Sequence, residues 1–298
     1  MHVFNKKCPY SLRQIADIES SREHVIPDAL GGPNGLALNA DAKTNNKLGE
    51  GVDARLINSP LMAMSASRAR VRTRSGPVTL KLQGELLADE SSVDIWISED
   101  GSTNFRSRVP VVKDQTTGEV VAVRGFGDAA QKQLEDLSTG HAKKGRVVLA
   151  GEATTLDPTT HVSVGYNRVE VEQALAKIAY LTAVWTFGDA FLDTAAAGAF
   201  RALVLGPLAS EPLATDGIAI RQEPDEPPVL PPRDNEHHLH CAALDGVLFV
   251  RVSLFCSPLF TRKFLAPLNL SGVARTSRLI LVDATTKTFE ERKDLLPS

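Results

Sequence analysis

The sequence predicts an α+β protein, on three observations. Apolar residues alternate with polar ones in several short runs, as strands with one buried face require, and they recur at helical spacing across 169–187 and 195–205. Gly, Pro, Asn and Asp gather between those runs, where turns are needed. The third observation is bulk: 298 residues, 43% hydrophobic and 23% charged, suffice for one large domain or two ordinary ones, each with a core. The longest apolar stretch, 174–190, is interrupted by Lys177, Thr182, Thr186 and Asp189, which suits a buried helix better than a membrane span. The N-terminus lacks the apolar centre of a signal peptide, and Cys8, Cys241 and Cys256 form no Cys-x-x-Cys pair, so reduced thiols in a cytoplasmic protein are expected.

Taken in order, residues 22–26 read as a short strand, 27–33 (PDALGGP) as a turn-rich loop, and Leu36 and Leu38 as part of a returning strand. Leu48, Val52 and Leu56 fall at helical spacing in 42–56, although Gly49 and Gly51 weaken that helix. Arg68, Arg70, Arg72 and Arg74 alternate with Ala69, Val71 and Thr73, which predicts a strand with four guanidinium groups on one face and a turn at Ser75-Gly76-Pro77 into 78–82. Further strands are expected at 92–97, 109–112 and 145–150, a hairpin turn at Thr117-Gly118-Glu119, and a helix at 128–137. Helices at 169–187 and 195–205 follow. Residues 221–236 hold five prolines and five acids and read as an extended linker. A hairpin about Asp245-Gly246 and a strand at 278–282 complete the chain.

The net charge of −3 gives no whole-chain case for nucleic-acid binding, but residues 1–75 carry eleven Lys/Arg against seven Asp/Glu. Within this basic part, the arginine alternation is either a solvated sheet face or a stripe of phosphate clamps, since the planar guanidinium fork fits phosphate oxygens. Here too lies the densest chemistry. Glu23 directly precedes His24, a Gly-Gly turn follows, and Asn45-Asn46 opens the helix 22 residues after the acid. Phosphodiester hydrolysis needs a nucleophile made from water and neutralisation of charge building on the phosphoryl oxygens. Glu23 offers a hard cation an oxygen ligand, His24 a general base, and Asn45 an amide oxygen from the facing helix, with Asn46 its close rival in register. Adjacent strand residues point to opposite faces, so a twist or bulge is expected where Glu23 and His24 serve one substrate.

The pattern EHxIPxxLGG, followed by Asn45-Asn46-Lys47-Leu48-Gly49 and Val52-Asp53-Ala54-Arg55-Leu56, resembles the HNH endonucleases of the ββα-metal fold, in the branch with EH-I-P and NN-x-LG signatures. The resemblance covers roughly residues 22–56, with a weaker likeness at Lys177-Ile178-Ala179 and the C-terminal SLF segment. It implies Glu23 and Asn45 as ligands of Mg²⁺ or Mn²⁺, His24 as general base, Asn34 as the residue that orients the histidine, and DNA as substrate; the candidate DNA contacts read from the basic segment itself are Lys47 and the four arginines. The expected division is a nuclease module at 1–60 and a mixed accessory domain at 61–298 that binds DNA, recognises a signal, or joins copies or a partner.

Members of this family often hold a structural zinc with two Cys-x-x-Cys pairs. The second pair would fall at Asp41 and Thr44 and only Cys8 remains of the first, so no structural zinc is expected. The alternatives are an inactive HNH-like nucleic-acid-binding or scaffold protein and a hydrolase of RNA or a nucleotide. Asp41 and Asp53 are lesser ligand candidates, Asp53 being expected near a helix end or paired with Arg55. His237, His238 and His240 place two imidazoles on one strand face but lack a third defined ligand and read as a strand edge. His141 and His161 have no partner pattern, and Cys241 and Cys256 read as buried small apolar residues.

Overall fold

The computed structural model describes residues 5–74, 76–87, 90–98, 102–108, 111–118, 120–123, 159–207, 217–222, 233–270 and 275–293, with isolated positions between 125 and 143. Helices and sheets are both present, as an α+β class requires. The chain forms two compact units, Met1–Val78 with Tyr166–Ser298, and Thr79–Gly165.

The first unit begins with an antiparallel hairpin, β1 (Ser20–His24) against β2 (Ala37–Asp41), joined by a loop with a single 3-10 turn at Asp28–Leu30. Asp41 then caps α1 (Ala42–Leu48), its carboxylate accepting from the Thr44 backbone N–H at 2.8 Å. The helix does not break at its glycines. Gly49–Asp53 forms a π-helical turn that runs on into α2 (Ala54–Ile57), so the hydrophobic spacing of Leu48, Val52 and Leu56 survives with a local widening.

Proline at the first position of α3 (Pro60–Arg68) starts a helix that carries the chain into the arginine-rich stretch. The expected strand over 68–74 is therefore replaced. Arg68 ends α3, Arg70 takes a left-handed conformation (φ 54°), and only Arg72–Thr73 forms a strand, β3, paired with β4 (Gly76–Pro77). The alternation still reports burial: Ala69 and Val71 are in the core while the four arginines are exposed.

The C-terminal part builds a six-stranded antiparallel sheet in the order β11 (Ala219–Arg221), β14 (Thr261–Pro267), β13 (Val247–Ser253), β12 (Glu236–Leu244), β15 (Arg275–Asp283), β16 (Thr288–Lys293). Its central hairpin turns on Asp245 (φ 46°) and Gly246 (φ 80°), the positive pair that a two-residue turn of matching twist needs. Against this sheet lies α4 (Arg168–Phe187), buried from Val171 to Thr186 all round, with the short α5 (Asp189–Leu192) and α6 (Ala195–Leu205). Such a helix belongs to a core rather than a surface. Its polar residues are correspondingly engaged: Glu172 with Arg262, and Gln173 with Arg55 and the Leu203 and Gly206 carbonyls.

One continuous apolar cluster includes Val25, Ile26, Leu30 and Leu36 beside residues of α4 and of the large sheet, so residues 1–60 share a core with the C-terminal part of the chain. A hairpin and two short helices bury too little surface to form a separate core. The N-terminal segment is fastened in the same way. The Tyr180 hydroxyl donates to the Pro9 carbonyl, and the Lys6 N–H donates to Asp189 at 2.9 Å.

The second unit is a meander, β5 (Leu80–Leu86), β6 (Ser92–Ile97) and β7 (Thr103–Ser107), with β10 (Thr160–His161) beside β5, and a separate hairpin of β8 (Val111–Lys113) and β9 (Val120–Val123). The expected strand at 145–150 and most of the helix at 128–137 lie outside the described residues, as does most of the linker at 221–236.

The Gly-Gly turn shows why these positions lack side chains. A Cβ on Gly31, which has φ 87°, would come 2.4 Å from the Ala284 carbonyl oxygen, and one on Gly32 would come 1.8 Å from the Ile26 carbonyl oxygen. Gly31→Ala should therefore lower stability by at least about 2 kcal/mol, read as a shift of the urea unfolding midpoint. An unchanged midpoint would show that the turn does not need its close approach to Ala284.

Candidate active site

The hairpin and α1 bring the expected site residues into one region, but not all onto one face. Pairing runs through Arg22↔Asn39, Glu23↔Leu38 and His24↔Ala37 without interruption, so the expected bulge is absent and Glu23 and His24 leave opposite faces of β1. Arg22 and His24 share one face; Ser21 and Glu23 share the other.

On its face, His24 is half-buried, and its Nε2 lies 3.2 Å from Asn34 Oδ1. An amide oxygen only accepts, so this contact places the proton on Nε2 and leaves the Nδ1 lone pair as the basic nitrogen. Asn34 stands in the loop between the strands, and its sequence spacing to the histidine is spanned by the tight turn at Gly31-Gly32. That loop is held from behind. The His237 ring is buried between two backbone groups, accepting from the Phe255 N–H at Nδ1 (3.0 Å) and donating from Nε2 to the Leu30 carbonyl (2.7 Å). Burial pushes its pKa down to about 4, so it is neutral in the fold. Lys287 fixes the same loop through Asp28 Oδ1 at 2.7 Å.

On the opposite face, Asn45 donates from Nδ2 to Ser21 Oγ at 2.9 Å and to the Arg22 carbonyl at 3.0 Å. Asn46 is exposed and its side chain has no such partner among the described residues, which separates the two neighbouring asparagines. Glu23 turns inward and is only 2% exposed. Its Oε1 lies 2.6 Å from Lys177 Nζ, and the same ammonium lies 2.6 Å from Asp53 Oδ2. Asp53 thus pairs with Lys177, not Arg55, whose guanidinium donates to Gln173. The second Glu23 oxygen, Oε2, and the Tyr10 hydroxyl are both buried and interact with each other, the phenol favouring the ionised acid, although their geometry falls short of a full hydrogen bond.

Two carboxylates and one ammonium leave this buried cluster with one negative charge in excess. Burial pushes Glu23 up to about 7, opposed by Lys177 and reinforced by repulsion from Asp53. Burial works to lower the Lys177 pKa, but the two carboxylates outweigh it and hold the ammonium above its ordinary value.

Glu23 and Asn45 offer a hard divalent cation oxygen donors of the right chemical type, but Glu23 is buried and bound to Lys177, and both lie on the face of β1 opposite His24. Among the described residues there is no group of three or more His, Cys, Asp or Glu side chains able to hold a metal. The three C-terminal imidazoles are committed separately: His237 as above, His238 to Glu236 at 3.2 Å and Cys256 at 3.5 Å, and His240 to Ser277 at 2.8 Å. Cys241 is buried and Cys256 partly so.

Around Cys8 a set of hydrogen bonds closes the corner. Its Sγ accepts from the Asp41 N–H at 3.2 Å and from the Ser11 N–H at 3.5 Å, while the Asp41 carboxylate holds the Thr44 N–H and hydroxyl, both at 2.8 Å. Those Thr44 bonds, the backbone one foremost, draw the Asp41 pKa below its ordinary value.

The basic residues are dispersed. Arg68 pairs with Asp234 at 2.9 Å and Arg74 approaches Asp28 at 3.9 Å, both on exposed side chains, and Arg72 also has a partner. Arg70 and Lys47 are exposed. Lys177 and Arg22 were not singled out from the sequence. A lysine in the middle of an otherwise apolar helix was the available signal for the first, and the i, i+2 relation to His24 for the second.

No known protein-family model, curated protein or solved structure matches the chain.

The Glu23 shift has a stability consequence. A carboxyl raised from 4.5 to about 7 contributes stability that is full below about pH 4.5 and is lost as pH rises to about 7, because the native state then binds the proton that the unfolded state has released. Glu23→Gln should flatten this fall in urea-unfolding free energy between about pH 5 and pH 8. Equal slopes in wild type and variant would remove Glu23 as its source.

Proposed function

We propose that the protein is an HNH-type endonuclease that hydrolyses DNA phosphodiester bonds with His24 as general base. The observation that carries this reading is the His24–Asn34 contact on a hairpin covered by the helix that bears Asn45. His24 Nδ1 takes a proton from water as its oxygen attacks phosphorus, the P–O bond to the leaving sugar oxygen breaks and that oxygen takes a proton from solvent, and the positive charge formed on the ring is stabilised through Nε2–H by the Asn34 oxygen. Fixing the tautomer in advance keeps the basic nitrogen turned to substrate. Glu23 and Asn45 are the residues that would hold Mg²⁺ or Mn²⁺, whose chemistry is charge neutralisation at phosphoryl oxygens; this requires Lys177 to release Glu23, and because both ligands lie on the face of β1 opposite His24, the step at His24 is derived without the cation. Lys47 and the exposed arginines of 68–74 would contribute to the electrostatic attraction of DNA.

A cytoplasmic location belongs to the same proposal. It is supported by three free cysteines, and no helix among the described residues is long and apolar enough to cross a membrane. We place any association with a second copy or a partner on the part of the chain beyond residue 60.

Nicking of supercoiled plasmid with Mg²⁺, with Mn²⁺ and with EDTA tests the proposal. His24→Ala should lose about 10²- to 10⁴-fold in rate, and Asn34→Ala about tenfold. Cutting that persists in EDTA or survives His24→Ala would defeat the assignment. Cation binding has its own readout: Mn²⁺ should raise the urea midpoint of wild type more than that of Glu23→Gln.

A second reading is favoured by one specific observation, the engagement of Glu23 by Lys177. In it, the hairpin-helix unit is a noncatalytic nucleic-acid-binding surface whose acid serves the core alone. DNA binding without cleavage under either cation would select it.

A further inference from the structure

We propose that Arg22 is the residue that grips the DNA backbone one phosphate away from the bond presented to His24, an inference that rests on the endonuclease reading and deepens it. Arg22 and His24 are two positions apart on β1, so they project from the same face, with their Cα atoms roughly 7 Å apart by strand rise. That separation is comparable with the step between successive phosphates along a strand.

The Arg22 side chain is exposed, and no described residue gives its guanidinium an ion pair or hydrogen bond. Its neighbourhood explains why. The cross-strand residue Asn39 carries no charge to pair with a guanidinium, and its backbone N–H and carbonyl are bonded to the Asn5 amide at 2.8 and 2.7 Å. The nearest acid along that face of β2, Asp41, has its carboxylate taken up by Thr44. Glu23, adjacent in sequence, points the other way and is paired with Lys177.

The backbone beneath Arg22 is nonetheless fixed, by the strand ladder and by Asn45 Nδ2 on its carbonyl. An arginine left without a carboxylate, on a rigid strand beside a general base, is suited to a phosphate rather than to stabilising the fold. Of the other arginines of the basic segment, Arg70 is also exposed with no ion pair or hydrogen bond among the described residues, but it follows α3 in a left-handed conformation and does not lie on the strand that bears His24; the rest are engaged. Arg13 donates to the Asp17 carbonyl, Arg55 to Gln173, Arg68 and Arg74 face carboxylates, and Arg72 has a partner.

The test measures binding apart from cleavage. Fluorescence anisotropy of a short fluorescein-labelled DNA duplex is followed across a salt series with His24→Ala as the parent, and with Arg22→Ala, Arg22→Lys and Arg106→Ala each added to it. Arg106 is an exposed arginine of the second unit and controls for loss of one positive charge. Arg22→Ala should weaken binding roughly five- to tenfold and reduce the slope of log affinity against log salt by about 0.9, the value for one phosphate contact. Arg22→Lys should keep the slope, because the charge remains. The proposal is overturned if Arg22→Ala matches Arg106→Ala in affinity and slope, or if the parent does not bind DNA. Failure of the endonuclease reading is distinguishable: wild type would then bind DNA with the Arg22 dependence intact and leave plasmid uncut, which supports the grip and overturns the hydrolase.

Discussion

The buried ammonium of Lys177, held 2.6 Å from both Glu23 and Asp53, is the interaction on which the remaining geometry depends. Three elements meet there: strand β1, the π-helical turn after α1, and the central helix α4. Desolvating such a set is costly, and deleting one member of a buried pair typically costs about 3–5 kcal/mol because its partner is left uncompensated. The π turn has a role in this. It ends on Asp53, the residue that meets the ammonium, and Leu48, Val52 and Leu56 stay in the core across it.

This arrangement divides labour across a single strand. The inward face of β1 carries charge that fastens the hairpin to the core, while the outward face presents His24 and Arg22. Adjacent residues can take these different duties because strand side chains alternate, and the uninterrupted pairing with β2 keeps the alternation strict. The side chains on one face are thus held in place for reasons that lie on the other. Asn45 links the two, its amide bonding both the Ser21 side chain and the Arg22 carbonyl.

Much of the fold was legible in the sequence where periodicity and turn chemistry agreed. The helix expected at 169–187 is Arg168–Phe187, and the Asp245-Gly246 hairpin forms as its residues require. The strand, loop, strand, helix order near the N-terminus follows from the same signals, and the Asn34 contact to His24 was anticipated by resemblance. Long-range partners were not legible. Nothing local shows that Glu23 will meet a lysine more than 150 residues away, or that residues 1–60 will share a core with the C-terminal sheet. The arginine alternation misled for a different reason: period two recorded correctly which residues are buried, but Pro60 had already started a helix whose end, followed by a left-handed residue, produces the same in-out pattern.

The docking of the Gly31-Gly32 loop on residues 283–289 also sets an order of events. Asp28 is tied to Lys287 across a separation of 259 residues, and Gly31 fits against Ala284. During synthesis the segment bearing His24 therefore leaves the ribosome long before the strands that brace it, and it waits as an unsupported hairpin. Contacts of such high sequence separation close late and slow folding. The docked form of the loop between β1 and β2 is consequently acquired after translation of those strands, rather than spreading from the N-terminus as the chain grows.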